Sequence, residues 1–591
     1  MRPSPALLLG LAAVAAVRLL TLPESLWEWD EVLFVRGILD FDPLHHSPHP
    51  PGYPLLIGLG KALTWITGDP FTSLVALSVI SSCVGFVALA VAFQSFSGSE
   101  QAGVTGALLF HFSPAMLVYG PLALSDPVAL MFLALALAAA GRLIETRGLW
   151  SAVALGVFAS AAIGCRPQLS LAILPMLAVT LFLARKQSAA VLGAFTLVSL
   201  AWFVPLLVAV GGPSGFLPFL SKQAGLVVAY DTTGSRSELS WIGVAKRFLA
   251  HPWGDRWLSM PLLGLAAIGG ALVVFRRYRT ALPLAVLSVV ELTFAMTVMN
   301  AQDAVRYALP GLLGIAFLAG VGAEALTRRL RIPAAALAIL FAAGAIRYTA
   351  PILEARTKTP SPPVQAIEWA RQNLPPQTVF LMEPVMAAYI DHLLPKSERL
   401  LIDEGLQLFA AKPGRPVYLL GDGESGWPGA KTFRWPESDA YGKLSRAGLY
   451  RVTSLSPIPP GRRYRIERGV YGYEPSAREP KWRWLAPDAA VRLYSHGITR
   501  SSLTLALPES APWPSNRVMV VVGGAPAADV EILRGGQKRV EIPLPASSEV
   551  EVAFQSASSF VPAETGAGPD TRRLAVQLVD LEMRGFQGER P

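Results

Sequence analysis

The sequence predicts a polytopic α-helical membrane protein with a water-soluble region at its C-terminal end. Of its 591 residues, 52% are hydrophobic and only 16% are charged, and the mean hydropathy is +0.43. Up to about residue 350 the apolar residues form long runs separated by short polar breaks, whereas the later sequence is charged and rich in proline. Because runs of this length are typical of membrane spans, we expect a membrane part followed by a soluble part.

About eleven segments are long enough to span a bilayer, whose hydrocarbon core takes about 20 apolar residues of helix to cross. The first resembles a signal peptide but lacks a convincing small-residue cleavage site, so we expect it to remain as a span. The stretch 53–67 is short and interrupted by Lys61, which favours an interfacial helix. The predicted spans are 5–23, 71–95, 102–119, 122–141, 149–164, 168–184, 189–211, 258–275, 280–299, 307–325 and 333–350.

The basic residues predict the orientation of these spans. With the N-terminus in the cytoplasm and eleven crossings, nearly all Arg and Lys clusters of the membrane part fall on the cytoplasmic side, as the positive-inside bias requires. The loop 24–70, the loop 212–257 and the chain after about residue 351 then face away from the cytoplasm. We therefore expect a multi-pass protein of the cytoplasmic (inner) membrane. The clusters lie in loops between spans rather than on one folded face, so the net charge of +9 does not indicate nucleic-acid binding.

The chain divides into three predicted domains: a transmembrane domain at 1–350 with the outer loop 24–70, a small extracytoplasmic α/β domain at 351–460 and an extracytoplasmic β-sandwich at 461–591. In the second domain, 364–373 is typical of an amphipathic helix. The glycine-rich stretch 421–426 lacks the Lys-Ser/Thr ending of a P-loop, so a plain turn is favoured.

The predicted β-sandwich rests on short alternating strands separated by Pro and Gly turns after residue 462. Modules of this kind often bind carbohydrate, and Trp482 or Trp484 could stack on a sugar ring. A place in the core or at an interface is the favoured interpretation of both tryptophans.

Two carboxylates, Asp30 and Glu31, directly follow the first span in the segment Trp27–Asp42. A carboxylate at the membrane boundary loses solvation unless it is wet or paired, so both are candidate functional residues. The alternative is an ordinary interfacial helix that presents its tryptophans to the headgroups.

A second group of candidates, Asp40, Asp42, His45 and His46, follows in the same loop. Carboxylates and imidazoles are common ligands of divalent metals, so this group could hold one. No complete ligand set can be assigned, and Asp40 and Asp42 are also compatible with an ordinary turn. We therefore assign no cofactor beyond a possible divalent metal.

Further polar residues lie at the outer ends of predicted spans. Asp126 opens the fourth span, where a helix N-cap is the alternative role. Arg166, and Arg306 with the adjacent Tyr307, lie on the outer side against the positive-inside bias, which favours a specific anionic partner. Snorkelling toward water is the alternative for both arginines. His49 stands in a proline-rich stretch that keeps the backbone extended and stiff. Together these residues suit a lipid-linked phosphate.

Four segments, taken in order, resemble the GT-C glycosyltransferases, in particular the polyprenyl-phosphate-mannose protein mannosyltransferases and the aminoarabinose transferases. They are Trp29-Asp30-Glu31, His49-Pro50-Pro51-Gly52-Tyr53-Pro54, Ser125-Asp126-Pro127 and Arg166-Pro167. The resemblance covers roughly 20–350 and leaves the tail outside it. It implies a sugar donor on a polyprenyl phosphate and a catalytic role for Asp30. Some members carry Glu-Lys-Pro-Pro where this chain has Pro48-His49-Pro50-Pro51, so His49 stands in place of their lysine.

The hypothesis that follows is transfer of a sugar from a polyprenyl-phosphate-linked donor to an extracytoplasmic acceptor, which is a lipid, a glycan or a protein. Asp30 would act as the general base, Glu31 would support it and Asp126 would orient the acceptor or the basic residues. The donor phosphate would be bound by His49, Arg166, Arg306 and Tyr307.

Two alternatives from other classes remain open. A secondary transporter would usually show internal repeats and broken helices at the midplane, neither of which is evident in the sequence. A non-catalytic membrane anchor that displays a carbohydrate-binding module would leave Asp30, His49 and Arg166 unexplained.

Overall fold

The computed structural model describes residues 4–230, 239–276, 279–382, 384–401, 415–423, 429–444, 451–457, 464–474, 482–493, 499–545, 550–566 and 570–584. The chain divides into two compact units. The first contains Met1–Ser361 and Trp435–Leu449, and the second contains Pro362–Arg434 and Tyr450–Pro591. The short segment Trp435–Leu449 thus returns to the helical unit, which the sequence did not indicate.

The α-helices in the described residues are α1 (Pro5–Leu20), α2 (Trp29–Leu39), α3 (Pro54–Thr67), α4 (Pro70–Ser97), α5 (Glu100–His111), α6 (Pro114–Tyr119), α7 (Ser125–Thr146), α8 (Leu149–Cys165), α9 (Ser170–Leu183), α10 (Ser188–Ala209), α11 (Pro213–Tyr230), α12 (Trp241–Leu249), α13 (Arg256–Arg276), α14 (Leu282–Val298), α15 (Ala304–Ala308), α16 (Leu312–Leu330), α17 (Ala334–Lys358), α18 (Pro362–Asn373), α19 (Pro384–Leu393), α20 (Asp439–Leu444) and α21 (Pro562–Thr565). Short 3-10 turns occur at Pro43–His45, Pro167–Leu169, Arg185–Gln187, His251–Trp253, Arg279–Ala281 and Ala301–Asp303.

Six helices in the described residues are long and apolar enough to cross a membrane. They are Pro70–Ser97, Ser125–Thr146, Arg185–Ala209, Arg256–Val274, Arg279–Val298 and Ala334–Asn373. The third and fifth of these ranges include a 3-10 turn before the helix, and the sixth includes two helices, α17 and α18. Shorter apolar helices are Pro5–Leu20, Pro54–Thr67, Leu149–Cys165 and Pro167–Leu183. The predicted span 102–119 is divided into α5 and α6, because Pro114 has no N–H to continue the helix. The number of eleven spans stays a prediction.

The surface of these helices is suited to lipid. On α10, Leu197 and Val208 are 71% and 73% exposed, although a water-soluble protein rarely leaves contiguous large apolar side chains uncovered. Elsewhere the helices are closely packed. A Cβ on Gly320 of α16 would lie 2.5 Å from the Ala102 carbonyl oxygen and 2.8 Å from Cα of Gly106 on α5, so glycine allows the two backbones to approach. This contact helps to fix α16, which directly follows the short helix α15.

The second unit begins with a five-stranded sheet in the order β2-β1-β3-β5-β4. Its central strand pairs β1–β2 and β1–β3 are parallel, and β3–β5 and β4–β5 are antiparallel. Helix α18 (Pro362–Asn373) contains the segment 364–373, which the sequence predicted to be an amphipathic helix. Residues 424–428 of the glycine-rich stretch lie outside the described residues. The strands are β1 (Val379–Met382), β2 (Glu398–Leu401), β3 (Val417–Asp422), β4 (Lys431–Arg434) and β5 (Val452–Pro457).

An eight-stranded antiparallel sheet follows, in the order β10-β9-β12-β7-β13-β8-β11, with β6 paired to β7. Its strands contribute to one apolar core that includes Leu505, Val520 and Phe554. Trp484 is 7% exposed and packs edge-on against Phe560, with ring centroids 6.1 Å apart, so its ring has no free face for a sugar. The strands are β6 (Tyr464–Glu474), β7 (Trp482–Leu493), β8 (Arg500–Ala506), β9 (Ser515–Val522), β10 (Ala525–Leu533), β11 (Gln537–Pro543), β12 (Val550–Ser556) and β13 (Val576–Arg584).

Candidate active site

Helix α2 carries the first candidate residues and is packed inside the helical unit. Trp27, just before it, is fully buried between Trp435 and Tyr441, at ring-centroid distances of 5.6 and 6.5 Å. Val32 and Leu33 are also buried. The interpretation of this segment as an interfacial helix that presents Trp27 to the headgroups is therefore wrong, because the protein itself covers the ring.

Glu31 fastens the N-terminal end of α2. Its Oε2 accepts hydrogen bonds from the backbone amides of Trp27 and Glu28, and its Oε1 accepts one from Ala123, each at 2.8 Å. The side chain is fully buried. Both carboxylate oxygens are thus occupied by amides that no other group in the helix would satisfy. The geometry gives Glu31 a structural role, in which it holds α2 against the loop that leads into α7.

Asp30 is the neighbour of Glu31, but its carboxylate takes part in a chain of ion pairs. Its Oδ2 lies 2.6 Å from Nη1 of Arg306, and Nε of Arg306 donates a hydrogen bond to Oδ2 of Asp126 at 2.9 Å. Asp126 also forms an ion pair with Arg166. The order is therefore Asp30–Arg306–Asp126–Arg166. Four of the residues predicted from separate parts of the sequence are brought together.

Each member of this chain is placed by the end of a helix. Asp30 lies in the first turn of α2, Asp126 in the first turn of α7, Arg306 in α15, and Arg166 directly after α8. Helix ends carry unpaired backbone groups and partial charges, and the N-terminal end of α7 favours the carboxylate of Asp126. These helix ends give a concentrated set of charges inside an apolar unit.

Two alternative roles from the sequence are wrong for this cluster. Leu124 is the N-cap of α7, without a side-chain hydrogen bond, and Asp126 is the second residue of the helix, so Asp126 is not the cap. The side chains of Arg166 and Arg306 are 7% and 15% exposed, so neither snorkels into water. In both cases the partner is a charge that lies far away in the sequence.

His49 borders the cluster without joining its short ion pairs. Its Nε2 lies 3.0 Å from Oη of Tyr53, which also accepts a hydrogen bond from Nε2 of Gln168 at 3.3 Å. Its Nδ1 lies 3.8 Å from Oδ1 of Asp30, and Trp29 stacks on the ring at 5.9 Å. Burial lowers the pKa of His49, although Asp30 opposes this shift. The ring is therefore neutral near neutral pH.

The loop that carries His49 is held close to α2. A Cβ on Gly37 would lie 2.6 Å from Cδ of Pro48 and 2.9 Å from its backbone nitrogen, so only glycine lets the loop approach this far. Tyr53 has a left-handed backbone with φ of 46°, uncommon for an aromatic residue. This conformation lets α3 begin at Pro54 while the Tyr53 hydroxyl remains within reach of His49.

The pKa values of two carboxyl groups in the outer loop, those of Asp30 and Glu28, are shifted in opposite directions. Burial opposes ionisation of Asp30, but Arg306 outweighs it and holds the pKa of Asp30 at about 2. Burial raises the pKa of Glu28 to about 8, with Arg306 only partly compensating. Asp30 is thus ionised and Glu28 mostly protonated at neutral pH. Sequence reasoning missed Glu28, because nothing in its spacing shows that it lies beside Arg306.

Tyr307 follows Arg306 in α15 and is close enough to interact electrostatically with both Arg166 and Arg306. Its contact with the donor phosphate stays a prediction.

The candidate metal ligands do not assemble. Nδ1 of His45 lies 2.6 Å from Oδ2 of Asp42 in an exposed pair, and backbone hydrogen bonds between Asp42 and Ser47 close the loop. Asp40 is an exposed residue that ends α2. Across the described ranges, no group of three or more His, Cys, Asp or Glu side chains could hold a metal ion. The metal site suggested for Asp40, Asp42, His45 and His46 therefore does not fit the loop.

A comparison with models of known protein families found a match within the chain. Residues 48–208 match the sequence model of the dolichyl-phosphate-mannose-protein mannosyltransferases. This stretch includes His49, Asp126 and Arg166 and excludes Asp30 and Arg306. A search of curated proteins found no match.

Three solved structures are similar to the chain at low identity. ArnT from Cupriavidus metallidurans bound to undecaprenyl phosphate is 12% identical, with a TM-score of 0.48 over 76% of this chain and 97% of that one. Arabinofuranosyltransferase AftD from Mycobacteria is 12% identical, with a TM-score of 0.43 over 97% of this chain and 58% of that one. Arabinosyltransferase EmbB from Mycobacterium smegmatis is 11% identical, with a TM-score of 0.38 over 98% and 65%.

The family match covers the stretch that runs from the His49 loop through the helices carrying Asp126 and Arg166. It confirms the resemblance drawn from the ordered motifs of the sequence. Over residues 48–208 the chain is thus similar in sequence to the dolichyl-phosphate-mannose-protein mannosyltransferases.

Proposed function

We propose that the protein transfers a sugar from a polyprenyl-phosphate-linked donor to an extracytoplasmic acceptor, which is a lipid, a glycan or a protein. The observation that carries the proposal is the buried chain of alternating charges Asp30–Arg306–Asp126–Arg166. Structural ion pairs of this kind are expensive to bury. Binding of an anionic phosphate beside a catalytic carboxylate would require such buried charges, and this requirement gives a reason for their presence.

The two arginines are suited to the donor phosphate. A guanidinium offers several N–H donors in a fixed plane and binds phosphate oxygens in pairs. Arg306 already holds two carboxylates, Asp30 through Nη1 and Asp126 through Nε. A phosphate that binds Arg306 would take the place of the Asp30 carboxylate, while Asp126 keeps both arginines in position. His49 and Tyr307 border this phosphate position and complete the proposed binding set.

The reaction is a direct displacement at the anomeric carbon. The acceptor hydroxyl or amine loses its proton to Asp30 as its oxygen or nitrogen forms the new bond to the sugar. The bond between the sugar and the phosphate oxygen breaks, and its electron pair leaves with the polyprenyl phosphate. Arg306 and Arg166 stabilise the negative charge that develops on this leaving group. The atoms and charges balance without a further reactant.

The geometry leaves Glu31 out of this chemistry. Its two carboxylate oxygens accept three backbone amide hydrogen bonds and would have to give them up to reach a substrate. We therefore propose Asp30 alone as the base and Asp126 as the residue that positions the arginines. The similarity of residues 48–208 to the dolichyl-phosphate-mannose-protein mannosyltransferases supports a glycosyltransferase, so we do not propose a transporter or a non-catalytic anchor.

The proposed location is the cytoplasmic membrane, with the N-terminus inside and the second unit outside. The loop that carries Asp30 and His49 then faces the extracytoplasmic side. The resemblance to the GT-C glycosyltransferases implies a polyprenyl-phosphate sugar as the donor on that side. The bilayer holds the lipid part of the donor.

The test is transfer of radiolabelled sugar from a panel of polyprenyl-phosphate hexoses and pentoses in membranes that contain the protein. Arg306→Lys should lower transfer by roughly 100-fold or more, because a lysine ammonium cannot hold two carboxylates or a phosphate in a planar fork. Arg142→Lys is the matched control, since Arg142 is exposed near the opposite end of α7. Wild-type transfer by Arg306→Lys would contradict its role, and absence of transfer by the wild type from every donor would contradict the function.

A further inference from the structure

A cavity lies within the helical unit, and none of the four residues of the ion-pair chain lines it. It has a volume of about 490 Å³ and is bounded by the start of α13, the C-terminal half of α17 and the start of α20. Cavities of about 300–1,000 Å³ commonly hold small ligands in proteins. Residues that matter for its chemistry are Asp255, Trp257, Arg347, Tyr348, Ser438 and Asp439.

Two hydroxyl groups in this cavity have no hydrogen-bond partner in the described part of the chain. They are Oη of Tyr348 and Oγ of Ser438, and both atoms are buried. A buried polar group without a partner costs folding free energy, so native proteins rarely keep one without a reason. Two such groups from separate parts of the chain, both lining one cavity, indicate a polar ligand that supplies their partners.

The charged groups argue for an uncharged ligand. Asp255 caps α13 through Oδ1, which accepts hydrogen bonds from the amides of Trp257 and Leu258 at 3.0 and 3.1 Å. Asp439 is paired with Lys443 at 2.5 Å. Both acidic groups retain a further carboxylate oxygen that can accept a hydrogen bond. With Arg347 also on the wall, the lining carries both signs, so no single charge dominates.

An aromatic ring completes the lining. Trp257 is 73% exposed, and the guanidinium of Arg256 lies 4.7 Å from the ring centroid. An indole offers a flat apolar surface with a polar edge, and such rings are enriched in binding sites for partly apolar ligands. A sugar has this combination of properties, because its hydroxyl groups form hydrogen bonds and its C–H face packs on a ring.

The wall of the cavity is linked to the helix that carries Asp30. Ser438 and Asp439 stand between Trp435 and Tyr441, and both of these rings pack against Trp27. Helix α2, with Asp30 in its first turn, begins two residues after Trp27. The wall formed by the start of α20 is therefore connected to the helix of the proposed base through two layers of packed rings. Trp435 and Tyr441 form one layer, and Trp27 forms the other.

We propose that this cavity binds a sugar unit of the acceptor, so that the acceptor is a glycan or a glycosylated molecule. The proposal rests on the proposed glycosyl transfer and adds the class of acceptor to it. The ligand supplies hydrogen bonds to Tyr348, Ser438 and the free oxygens of Asp255 and Asp439, and it stacks on Trp257.

The test uses the full chain in lipid nanodiscs without donor. Binding of methyl α-mannopyranoside, methyl β-galactopyranoside and methyl α-arabinofuranoside is followed by saturation-transfer NMR and by tryptophan fluorescence. The variant Tyr348→Phe/Ser438→Ala removes both hydroxyls and leaves the shape of the cavity nearly unchanged. We expect it to bind the glycosides about tenfold more weakly or worse. Its thermal unfolding temperature should be unchanged or higher, since neither hydroxyl forms a hydrogen bond in the structure.

The control variant Tyr418→Phe/Ser221→Ala makes the same chemical changes away from the cavity and should bind the glycosides like the wild type. Equal binding by the Tyr348/Ser438 variant, or no binding of any glycoside to the wild type, would overturn the proposal.

Polyprenyl phosphate without a sugar serves as the second probe. We expect the Tyr348/Ser438 variant to bind it like the wild type, since its site is at Arg306. If the variant instead loses affinity only for sugar-loaded polyprenyl phosphate, the cavity holds the donor sugar and the acceptor assignment is overturned. If the wild type neither binds polyprenyl phosphate nor transfers sugar, the proposed function fails, and the glycoside data still decide the cavity.

Discussion

Asp30 is held by its surroundings in a state that suits binding more than proton transfer. Its carboxylate pairs with Arg306 at 2.6 Å, and this pairing keeps the pKa of Asp30 at about 2. A base with so low a pKa accepts a proton poorly. When a donor phosphate occupies Arg306, the Asp30 carboxylate loses its cation and faces a nearby negative charge, and both changes raise its pKa. We therefore expect donor binding to make Asp30 a better base.

The first prediction concerns this carboxylate. Asp30→Asn keeps the size of the side chain but cannot take up the proton, so transfer should fall by roughly 100-fold to 10,000-fold. Expression should stay intact, because Arg306 keeps its pairing with Asp126. The measurement is transfer of radiolabelled sugar in membranes, normalised to the amount of protein.

Asp69→Asn is the matched control for this variant. Asp69 caps α4 by accepting a hydrogen bond from the Thr72 amide at 2.7 Å, and asparagine caps helices equally well. It should transfer sugar like the wild type. Turnover by Asp30→Asn at the wild-type rate would remove Asp30 from the proposed mechanism.

Glu28 gives the second prediction, on pH. Its pKa of about 8 means that it is neutral at pH 7 and becomes negative above pH 8. The new charge would lie beside Arg306 and compete there with the donor phosphate. We expect transfer to decline above about pH 8 in the wild type and to stay level in Glu28→Gln. A decline of equal size in both proteins would show that another group titrates.

The same group affects stability with a definite sign. In the unfolded chain Glu28 loses its proton near 4.5, whereas in the folded protein it does so near 8. Between these values the folded state binds more protons, so the free energy of unfolding contributed by Glu28 falls as the pH rises. Glu28→Gln should remove this slope, which thermal unfolding at several pH values measures.

At the scale of elements, the N-terminal end of α2 is fixed by one side chain rather than by a local cap alone. Glu31 links the amides of Trp27 and Glu28 to the amide of Ala123, which lies in the loop before α7. The helix that carries Asp30 and the helix that carries Asp126 are thereby held together.

The third prediction tests the link. Glu31→Gln leaves one acceptor oxygen in place of two, so at least one buried amide loses its partner, and the free energy of unfolding should fall by about 1–3 kcal/mol. Transfer per folded molecule should stay within a few-fold of the wild type. Glu24→Gln, an exposed change in the same loop, should alter neither quantity. If Glu31→Gln kept wild-type stability and lost transfer, Glu31 would be catalytic after all.

Elements and site were predictable from the sequence to different degrees. Asp30, Asp126, Arg166 and Arg306 stood out because a charge at an apolar boundary is costly, and that cost does not depend on the partner. Which charges pair could not be predicted, because the partners come from helices far apart in the chain. Asp30 and Glu31 are neighbours with the same chemistry, and only the amides around Glu31 separate their roles. The break of the predicted span 102–119 at Pro114 was readable in principle, since proline interrupts helices.

At the scale of the whole molecule, orientation depends on the parity of the crossings. If α3 (Pro54–Thr67) lies in the interface, the residues after it remain outside and the basic loop 185–188 is cytoplasmic. If α3 crosses the bilayer, every later loop changes sides. Its length of 14 residues corresponds to about 21 Å of helix, short of the roughly 30 Å of a typical hydrocarbon core. We therefore expect α3 not to cross.

The fourth prediction distinguishes the two cases with an impermeant maleimide on intact cells. The chain has two cysteines, Cys83 and Cys165, and both would first be replaced by alanine. In that background Asp69→Cys should be labelled from outside, whereas Lys186→Cys should be labelled only after the cells are permeabilised. Glu24→Cys lies before α3 and should be labelled from outside in either case, so it controls for reagent access. If the Asp69 and Lys186 variants exchange their behaviour while the Glu24 variant keeps its own, α3 crosses the membrane.

The ion-pair chain bears on the same question. If α3 crossed the bilayer, this chain would join residues on opposite sides of the membrane, because Asp30 precedes α3 and Arg166 and Arg306 follow it. Residues on opposite sides of a bilayer could not form direct ion pairs, yet Asp30, Arg306, Asp126 and Arg166 do form them. The geometry of the site therefore favours an α3 that lies in the interface.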